Sequence, residues 1–167
     1  MLKRALLLLP LLWLAGCASP PGYTYKFVPG KTAVLQNGYA IAPQNAPPQV
    51  QAAIDAANRI AGSPYVYGGG HGPGESVGFD CSGAASYVLR AAGLLRSPMP
   101  STGFRRYGDS GQGKWISIYA RRDHTFLVIA GLRFDTGYGD RGGNRGPSWT
   151  ARNRPATGTV VRHPPGF

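Results

Sequence analysis

The chain has 167 residues, with 18 lysines and arginines against 7 aspartates and glutamates, which gives a formal net charge of +11. This length is enough for one domain with a hydrophobic core and a short tether, and it excludes a chain of several such domains. The basic charge favours an anionic partner, although arginines that only keep surface loops soluble are an equal explanation.

The N-terminus has the pattern of a secretory signal peptide. Lys3 and Arg4 precede a short apolar stretch at residues 5–14, which Pro10 interrupts, and small residues then lead to Cys17. This order is typical of an export leader, and the stretch is too short and too interrupted for a membrane-spanning helix.

The Leu-Ala-Gly-Cys sequence at residues 14–17 resembles the bacterial lipobox, which implies that residues 1–16 are removed and Cys17 is lipidated. An ordinary secretory cut and a membrane anchor are the alternatives. The mature chain would have 151 residues and a net charge of +9. Acyl chains anchor a protein firmly, since each buried methylene adds about 0.8 kcal/mol. An aspartate directly after the lipidated cysteine would suggest inner-membrane retention. This chain has Ala18 there, so the resemblance implies the periplasmic face of the outer membrane.

This location decides which anionic partner is expected. An exported lipoprotein does not routinely meet nucleic acid, so we expect no nucleic-acid partner. Peptidoglycan, whose stem peptides carry carboxylates, and anionic lipid suit the location. We expect a monomer that contacts the membrane through the lipid on Cys17.

Residues 17–48 are predicted to form a tether, because six prolines and little continuous apolar periodicity occur after Cys17. Asn37-Gly38 lies between two short apolar stretches and predicts a two-residue hairpin turn. A small hairpin is therefore expected to dock on the main domain, which is assigned to residues 49–167.

Two helices are predicted in the first half of this domain. Pro47-Pro48 start a helix that Gly62 ends, with apolar residues on one face at Val50, Ile54, Ala57 and Ile60. A glycine-rich loop follows over residues 62–79, and a second helix is predicted over residues 81–92.

The periodicity then changes to that of strands, after an irregular stretch at residues 94–113. Strands are predicted at residues 115–119, 124–130, 132–136 and 159–162. Gly131 contributes to a tight turn, and residues 137–158 are predicted to be a long surface loop. Helices followed by an antiparallel sheet indicate an α+β domain.

Cys81 lies at the start of the second predicted helix, and it has no partner in the chain if Cys17 carries lipid. An unpaired cysteine in the oxidising envelope is either a buried apolar filler or a reactive thiol. A helix N-terminus favours the thiolate, and its N–H groups can stabilise an oxyanion on an attacked carbonyl. Asp80 is a candidate N-cap of this helix, with direct substrate binding as the alternative.

Three histidines are candidates for the base that activates the thiol: His71, His124 and His163. His124 opens the most apolar strand, and a helical cysteine followed by a strand histidine suits a papain-like arrangement, so the base is assigned to His124. His71 is the stand-in, and a structural role is the alternative for His124. The three positions lack the ligand spacings of zinc sites, so no metal or other cofactor is expected.

Residues 62–93 resemble the NlpC family of cell-wall cysteine peptidases. The shared features are Tyr-Val-Tyr-Gly-Gly at residues 65–69, Asp-Cys-Ser-Gly at residues 80–83 opening a helix, and a histidine that starts a later strand. The resemblance covers about residues 50–136. It implies a compact papain-like fold and hydrolysis of peptidoglycan stem peptides between D-glutamate and the following diamino acid.

By position, the resemblance makes Cys81 the nucleophile and His124 the general base, which later protonates the leaving amine. Tyr65 matches a family tyrosine whose hydroxyl helps the Cys81 N–H to hold the oxyanion, with ordinary packing as the alternative. Asp80 and Ser82 flank the nucleophile and are assigned to the same oxyanion and substrate-binding group.

Asp135 is assigned as the third catalytic residue, near the place where the family carries a polar residue that orients the base. A carboxylate can fix the imidazole tautomer and stabilise its cation. If Gly131-Leu132 forms the turn, Asp135 pairs with Val128, about 13 Å along the strand from His124, so contact requires a bulge or a different turn. His163 or a main-chain carbonyl is the alternative orienting group.

Two segments depart from the family pattern. The sequence His-Thr-Phe at residues 124–126 replaces the usual His-Val-Gly, and residues 137–158 exceed the family's minimal form. Both can line the cleft and alter substrate choice. The leading interpretation is a lipid-anchored peptidoglycan endopeptidase that works through a cysteine thioester. The alternatives are a papain-like amidase or acyltransferase on another envelope amide or lipid, and a non-catalytic protein that binds wall peptides.

Overall fold

The structure, a computed structural model, describes residues 23–72, 76–137 and 146–167. Its elements, in chain order, are β1 (Val34–Gln36), β2 (Tyr39–Ile41), α1 (Pro48–Ile60), α2 (Cys81–Ala91), α3 (Ser101–Phe104), β3 (Asp109–Ser110), β4 (Ile116–Ala120), β5 (Thr125–Ile129), β6 (Leu132–Asp135), β7 (Ser148–Thr150) and β8 (Val160–His163). The helices precede the main sheet, which confirms the α+β prediction.

Strands β3 to β8 form one antiparallel sheet in the order β3-β8-β4-β5-β6-β7. Ile118 of β4 pairs with Leu127 of β5, and both belong to one buried cluster with Ile54 of α1 and Leu89 of α2. Burial of each such side chain stabilises the fold by about 1.5–3 kcal/mol. The cluster fixes α2 against β5, the strand that His124 directly precedes.

Part of the predicted surface loop at residues 137–158 is a strand. Residues 148–150 form β7, which pairs with β6, and Trp149 packs against Phe134 with ring centroids 4.8 Å apart. The loop prediction is wrong for these residues. Trp149 is the single apolar side chain of a three-residue strand, which is too short to show the alternating pattern that predicts a strand. Residues 138–145 lie outside the described part of the chain.

The predicted hairpin is present and docked. Asn37 and Gly38 have φ angles of 52° and 88° and close the turn between β1 and β2. The side-chain amide of Asn58 in α1 accepts from the N–H of Ala40 at 3.0 Å and donates to its carbonyl at 2.9 Å. This pair of bonds holds β2 against α1.

The tether prediction is wrong for residues 23–47, because this segment packs on the domain. Tyr23 is only 5% exposed, and Ala33 and Ala46 are buried in the main core cluster. The hydroxyl of Tyr23 accepts from the N–H of Arg133 at 3.1 Å. The proline content of this segment therefore did not indicate a free tether. The predicted leader at residues 1–16 and the lipidation site Cys17 lie outside the described residues.

Within residues 23–72, 76–137 and 146–167, no helix is long and apolar enough to cross a bilayer.

Candidate active site

Cys81 is the first residue of α2, and its side chain is half-buried. Burial by itself raises the pKa of the thiol, but hydrogen bonds from His124, Ser101 and the N–H of Thr125 together bring it below the ordinary value. The Sγ atom lies 3.5 Å from the Oγ of Ser101, a neighbour that sequence reasoning missed because residues 94–113 carry no periodic signal. This environment is that of a reactive thiol and not of an apolar filler.

The side chains of His124 and Cys81 lie close enough for each to shift the pKa of the other. Burial lowers the pKa of its imidazole, but the hydrogen bonds and charges of Asp135 and Cys81 outweigh burial and raise the pKa to about 9. The two shifts together favour a thiolate beside an imidazolium near neutral pH. Because Nε2 is bonded to Asp135, Nδ1 is the ring nitrogen that is available to the thiol.

Asp135, the last residue of β6, contacts His124 directly. Its Oδ1 lies 2.8 Å from Nε2 of His124 and accepts from the N–H of Thr136 at 2.7 Å. The contact that the assigned orienting role requires is therefore present, and the role itself stays a prediction. His163, the alternative orienting residue, lies elsewhere, with Nδ1 3.1 Å from the carbonyl of Gly111.

The turn that permits this contact differs from the expected one. Ala130 and Gly131 occupy it with φ angles of 45° and 78°, and Ile129 pairs with Leu132. Two consecutive residues with positive φ are the pattern of a type I′ hairpin turn. Gly131-Leu132 therefore does not form the turn, and the different turn that direct contact was expected to require brings Asp135 two residues closer to the start of β5.

Arg133 is a member of the site that sequence reasoning missed. Its Nε and Nη2 atoms donate to Oδ2 of Asp135 at 2.9 and 2.5 Å, and its side chain is 1% exposed. Its Cζ lies 3.5 Å from the centroid of the Phe126 ring. The sequence signal that could have found it is the two-residue spacing of Arg133 and Asp135, since residues i and i+2 of a strand share a face.

Asp80 is the N-cap of α2, as predicted, because its Oδ1 accepts from the N–H of Gly83 at 2.7 Å. The same oxygen accepts from Oγ of Ser82 at 3.0 Å and lies 3.1 Å from Nε2 of His71, while Oδ2 accepts from the N–H of Gly68 at 2.9 Å. Burial raises the pKa of this carboxyl, but its hydrogen bonds bring it below the ordinary value. Direct substrate contact by Asp80 and Ser82 stays a prediction.

The glycine-rich loop lies directly on the first turn of α2. A Cβ atom at Gly83 would be 1.8 Å from the carbonyl oxygen of Gly69, so only glycine allows the two backbones to approach this closely. This approach places residues 65–71 beside the nucleophile.

Tyr65 forms a parallel bridge with Phe79, two residues before Cys81. Burial raises the pKa of its hydroxyl, and the nearby charges of Cys81 and Asp80 raise it further. At 42% exposure, Tyr65 is open to a ligand as well as close to the nucleophile. Its participation in an oxyanion hole stays a prediction.

Three side chains meet here whose chemistry matches that of a nucleophile, a base and an orienting carboxylate: Cys81, His124 and Asp135. These roles stay predictions. This set is suited to attack on a carbonyl carbon and proton transfer to a leaving amine. Across residues 23–72, 76–137 and 146–167, no group of three or more histidine, cysteine, aspartate or glutamate side chains could hold a metal ion.

Comparisons with known proteins place the fold. No family model matches the chain, and no curated protein matches it. Among solved structures, a NlpC/P60 family protein from Bacillus cereus ATCC 10987 aligns with a TM-score of 0.53 and 20% sequence identity, over 69% of this chain. The alignment covers 40% of that protein, so the chain spans well under half of its length. The chain has the α+β, papain-like fold of NlpC/P60 proteins.

Proposed function

We propose that this protein is a cysteine peptidase that hydrolyses amide bonds of peptidoglycan stem peptides, as a D-glutamyl–diamino acid endopeptidase. The observation that carries the proposal is that His124, bonded to Asp135, lies beside the thiol of Cys81 at the N-terminus of α2 and lowers the pKa of that thiol. The papain-like fold supports it, and so does the net positive charge, +11 for the full chain and +9 without residues 1–16, because stem peptides carry carboxylates.

In the first half-reaction the Cys81 thiolate attacks the carbonyl carbon of the scissile amide. The sulfur electron pair forms the C–S bond, and the C=O electron pair moves onto oxygen. As this intermediate collapses, the His124 imidazolium gives its proton to the amide nitrogen and the C–N bond breaks. The products are a thioester on Cys81 and a free amine. Asp135 stabilises the imidazolium until the proton leaves.

In the second half-reaction neutral His124 takes a proton from water, and the water oxygen attacks the thioester carbonyl. The C–S bond then breaks and Cys81 leaves as a thiolate. The products are a carboxylic acid and the original thiolate–imidazolium pair.

Two groups are assigned to the oxyanion that forms in both half-reactions. The N–H of Cys81 belongs to the first residue of α2, where the helix dipole favours negative charge. The hydroxyl of Tyr65 is the second donor. Loss of one donor of this kind typically lowers kcat by about 10²–10³-fold.

The test is incubation of the chain from residue 18, without lipid, with purified sacculi, followed by mass spectrometry of the soluble fragments. Cys81→Ala is the comparison, since alanine keeps the helix and removes only the thiol. Wild-type protein should release fragments with a new carboxylate on D-glutamate and a new amine on the diamino acid, and the variant should release none. Equal release by both proteins, or none by the wild type, contradicts the proposal.

We also propose that the chain is a lipoprotein, anchored through Cys17 to the periplasmic face of the outer membrane. The lipobox pattern at residues 14–17 supports this, and Tyr23 is already part of the packed domain. The link between Cys17 and Tyr23 therefore spans at most roughly 20 Å and would hold the domain close to the membrane surface. Incorporation of labelled palmitate should occur in the wild type and be lost in Cys17→Ser. Label retained in the variant contradicts the proposal.

A further inference from the structure

Arg133 is a buried cation beside the candidate active site. It points from β6 onto the face of the sheet that also carries Asp135 and Phe126, and its side chain is 1% exposed. A buried guanidinium is costly to desolvate unless its charge and its donors are matched. Here the carboxylate of Asp135 supplies the matching charge.

The two oxygens of Asp135 have separate partners. Oδ2 accepts the Nε–H and Nη2–H fork of Arg133, whereas Oδ1 faces Nε2 of His124. A planar guanidinium that binds through two donors fixes both the position and the rotation of the carboxylate. That rotation decides where Oδ1 lies relative to the imidazole.

Arg133 is itself held from several sides. The Phe126 ring lies against its guanidinium, 3.5 Å from Cζ to the ring centroid. Its Nη1 donates to the carbonyls of Arg154 and Pro155 at 3.3 Å each. Its backbone N–H is bonded to Tyr23. The guanidinium therefore has little freedom to follow a displaced carboxylate.

We propose that Arg133 is a positioning residue: its fork holds the Asp135 carboxylate so that Oδ1 stays on Nε2 of His124, and this keeps the imidazolium paired with the Cys81 thiolate. The inference deepens the proposed function, on which the catalytic meaning of the pair rests. Arg133 acts through Asp135 and does not touch the reacting atoms.

Substitution of Arg133 by lysine separates the charge of the side chain from its planar, two-donor geometry. Arg133→Lys keeps a positive charge but replaces the planar fork by a single ammonium on a flexible stem. The carboxylate should then be free to rotate, and its hydrogen bond to His124 should weaken. Other ionisable groups lie near these side chains. Tyr23 and Tyr119 lie near the guanidinium of Arg133, and Cys81 and Asp135 lie near the imidazole of His124.

The experiment measures the rate of Cys81 alkylation by iodoacetamide between pH 5 and pH 9, together with the melting temperature. We expect Arg133→Lys to move the inflection at which the Cys81 thiolate forms upward by about one unit, which lowers the rate about tenfold at every pH well below that inflection. Arg162→Lys is the matched control, because Arg162 also donates to backbone carbonyls, of Tyr107 and Gly108, at a distance from the thiol. The control should lose stability and keep the wild-type profile.

A double-mutant cycle with Asp135→Asn then tests the route of the effect. In the Asp135→Asn background, Arg133→Lys should change the alkylation rate less than twofold. A wild-type profile in Arg133→Lys, or a full additional loss when it is combined with Asp135→Asn, overturns the proposal.

A milder variant decides the matter if Arg133→Lys does not fold. Phe126→Leu keeps the ion pair and removes the ring that the guanidinium lies against, so the rate below the inflection should fall about two- to threefold. An unshifted profile overturns the proposal. Alkylation needs no substrate, so a failure to cleave sacculi leaves this test intact.

Discussion

Two histidine–aspartate pairs flank the nucleophile, and they differ in what surrounds the carboxylate. Nε2 of His124 lies 2.8 Å from Oδ1 of Asp135, and Nε2 of His71 lies 3.1 Å from Oδ1 of Asp80. The second oxygen of Asp135 faces a guanidinium, whereas the second oxygen of Asp80 accepts the backbone N–H of Gly68.

The difference teaches that the same two residue types can have different partners, a thiol and a guanidinium at one pair and a serine hydroxyl and backbone N–H groups at the other. His124 has Cys81 as its further partner, and its imidazole pKa is raised to about 9. His71 has Ser82 as its further partner, and together with Asp80 it ties the glycine-rich loop to α2. Changes at the first pair should therefore alter the reactivity of the thiol, and changes at the second should alter stability.

The largest expected effect separates the two histidines. His124→Ala removes the proposed general base, so hydrolysis of a stem-peptide substrate should fall by about 10²–10⁴-fold. His71→Ala should keep the rate of the folded protein within about tenfold, because His71 bonds Asp80 and Ser82. Steady-state kinetics on both variants measure this. Equal losses would mean that the two pairs do not differ as described.

The pH dependence should be sensitive to the first pair alone. The pKa of Cys81 is lowered, so its thiolate is present above that lowered value, and the pKa of His124 is raised to about 9, so its imidazolium persists below about 9. The rate constant kcat/KM should form a bell between these limits. Asp135→Asn should lower the upper limit, since the imidazolium loses its carboxylate partner.

Asp80→Asn is the control for this profile. It changes the carboxylate of the other pair and should leave both limits of the bell in place. A profile that moves equally in the two variants would contradict the separation of roles.

The region of the second pair, His71 and Asp80, should lose stability when the packing of the glycine-rich loop against α2 is disturbed. A Cβ at Gly83 would lie 1.8 Å from the carbonyl oxygen of Gly69, so Gly83→Ala should push the loop off α2 and destabilise the protein by about 1–3 kcal/mol. The melting temperature should fall by roughly 2–12 °C. Gly72→Ala is the matched control, since an added Cβ there meets nothing within 4 Å. Equal melting temperatures for the two variants would contradict this packing.

The local half of the site was predictable from the sequence. Asp80 caps the helix that Cys81 begins, and both facts depend on four adjacent residues whose types carry the signal. The contact between His124 and Asp135 was not predictable in its geometry, because it depends on which two residues form the turn between β5 and β6.

That turn is decided by distant backbone groups. Alanine rarely adopts a positive φ, yet Ala130 does so with its N–H bonded to the carbonyl of Trp115 and its carbonyl bonded to the N–H of Ala33, both at 2.7 Å. Burial of Arg133 was equally hidden, since arginine is usually exposed and its partners come from β5, β6 and residues 154–155.

The smallest expected effect is the pH dependence that the charge of Asp80 gives to the stability of the fold. Asp80→Asn leaves one amide NH₂ facing backbone N–H donors, so the folded state should lose about 1–3 kcal/mol near pH 6. The carboxyl pKa is lower in the folded protein, so its contribution to stability is present above the ordinary value of about 3.9 and is lost as pH falls below it. The difference in melting temperature between wild type and variant should therefore be full at pH 6 and shrink towards pH 3. A difference that stays constant with pH would mean that Asp80 acts through shape alone, and that the second pair contains no charge that matters to the fold.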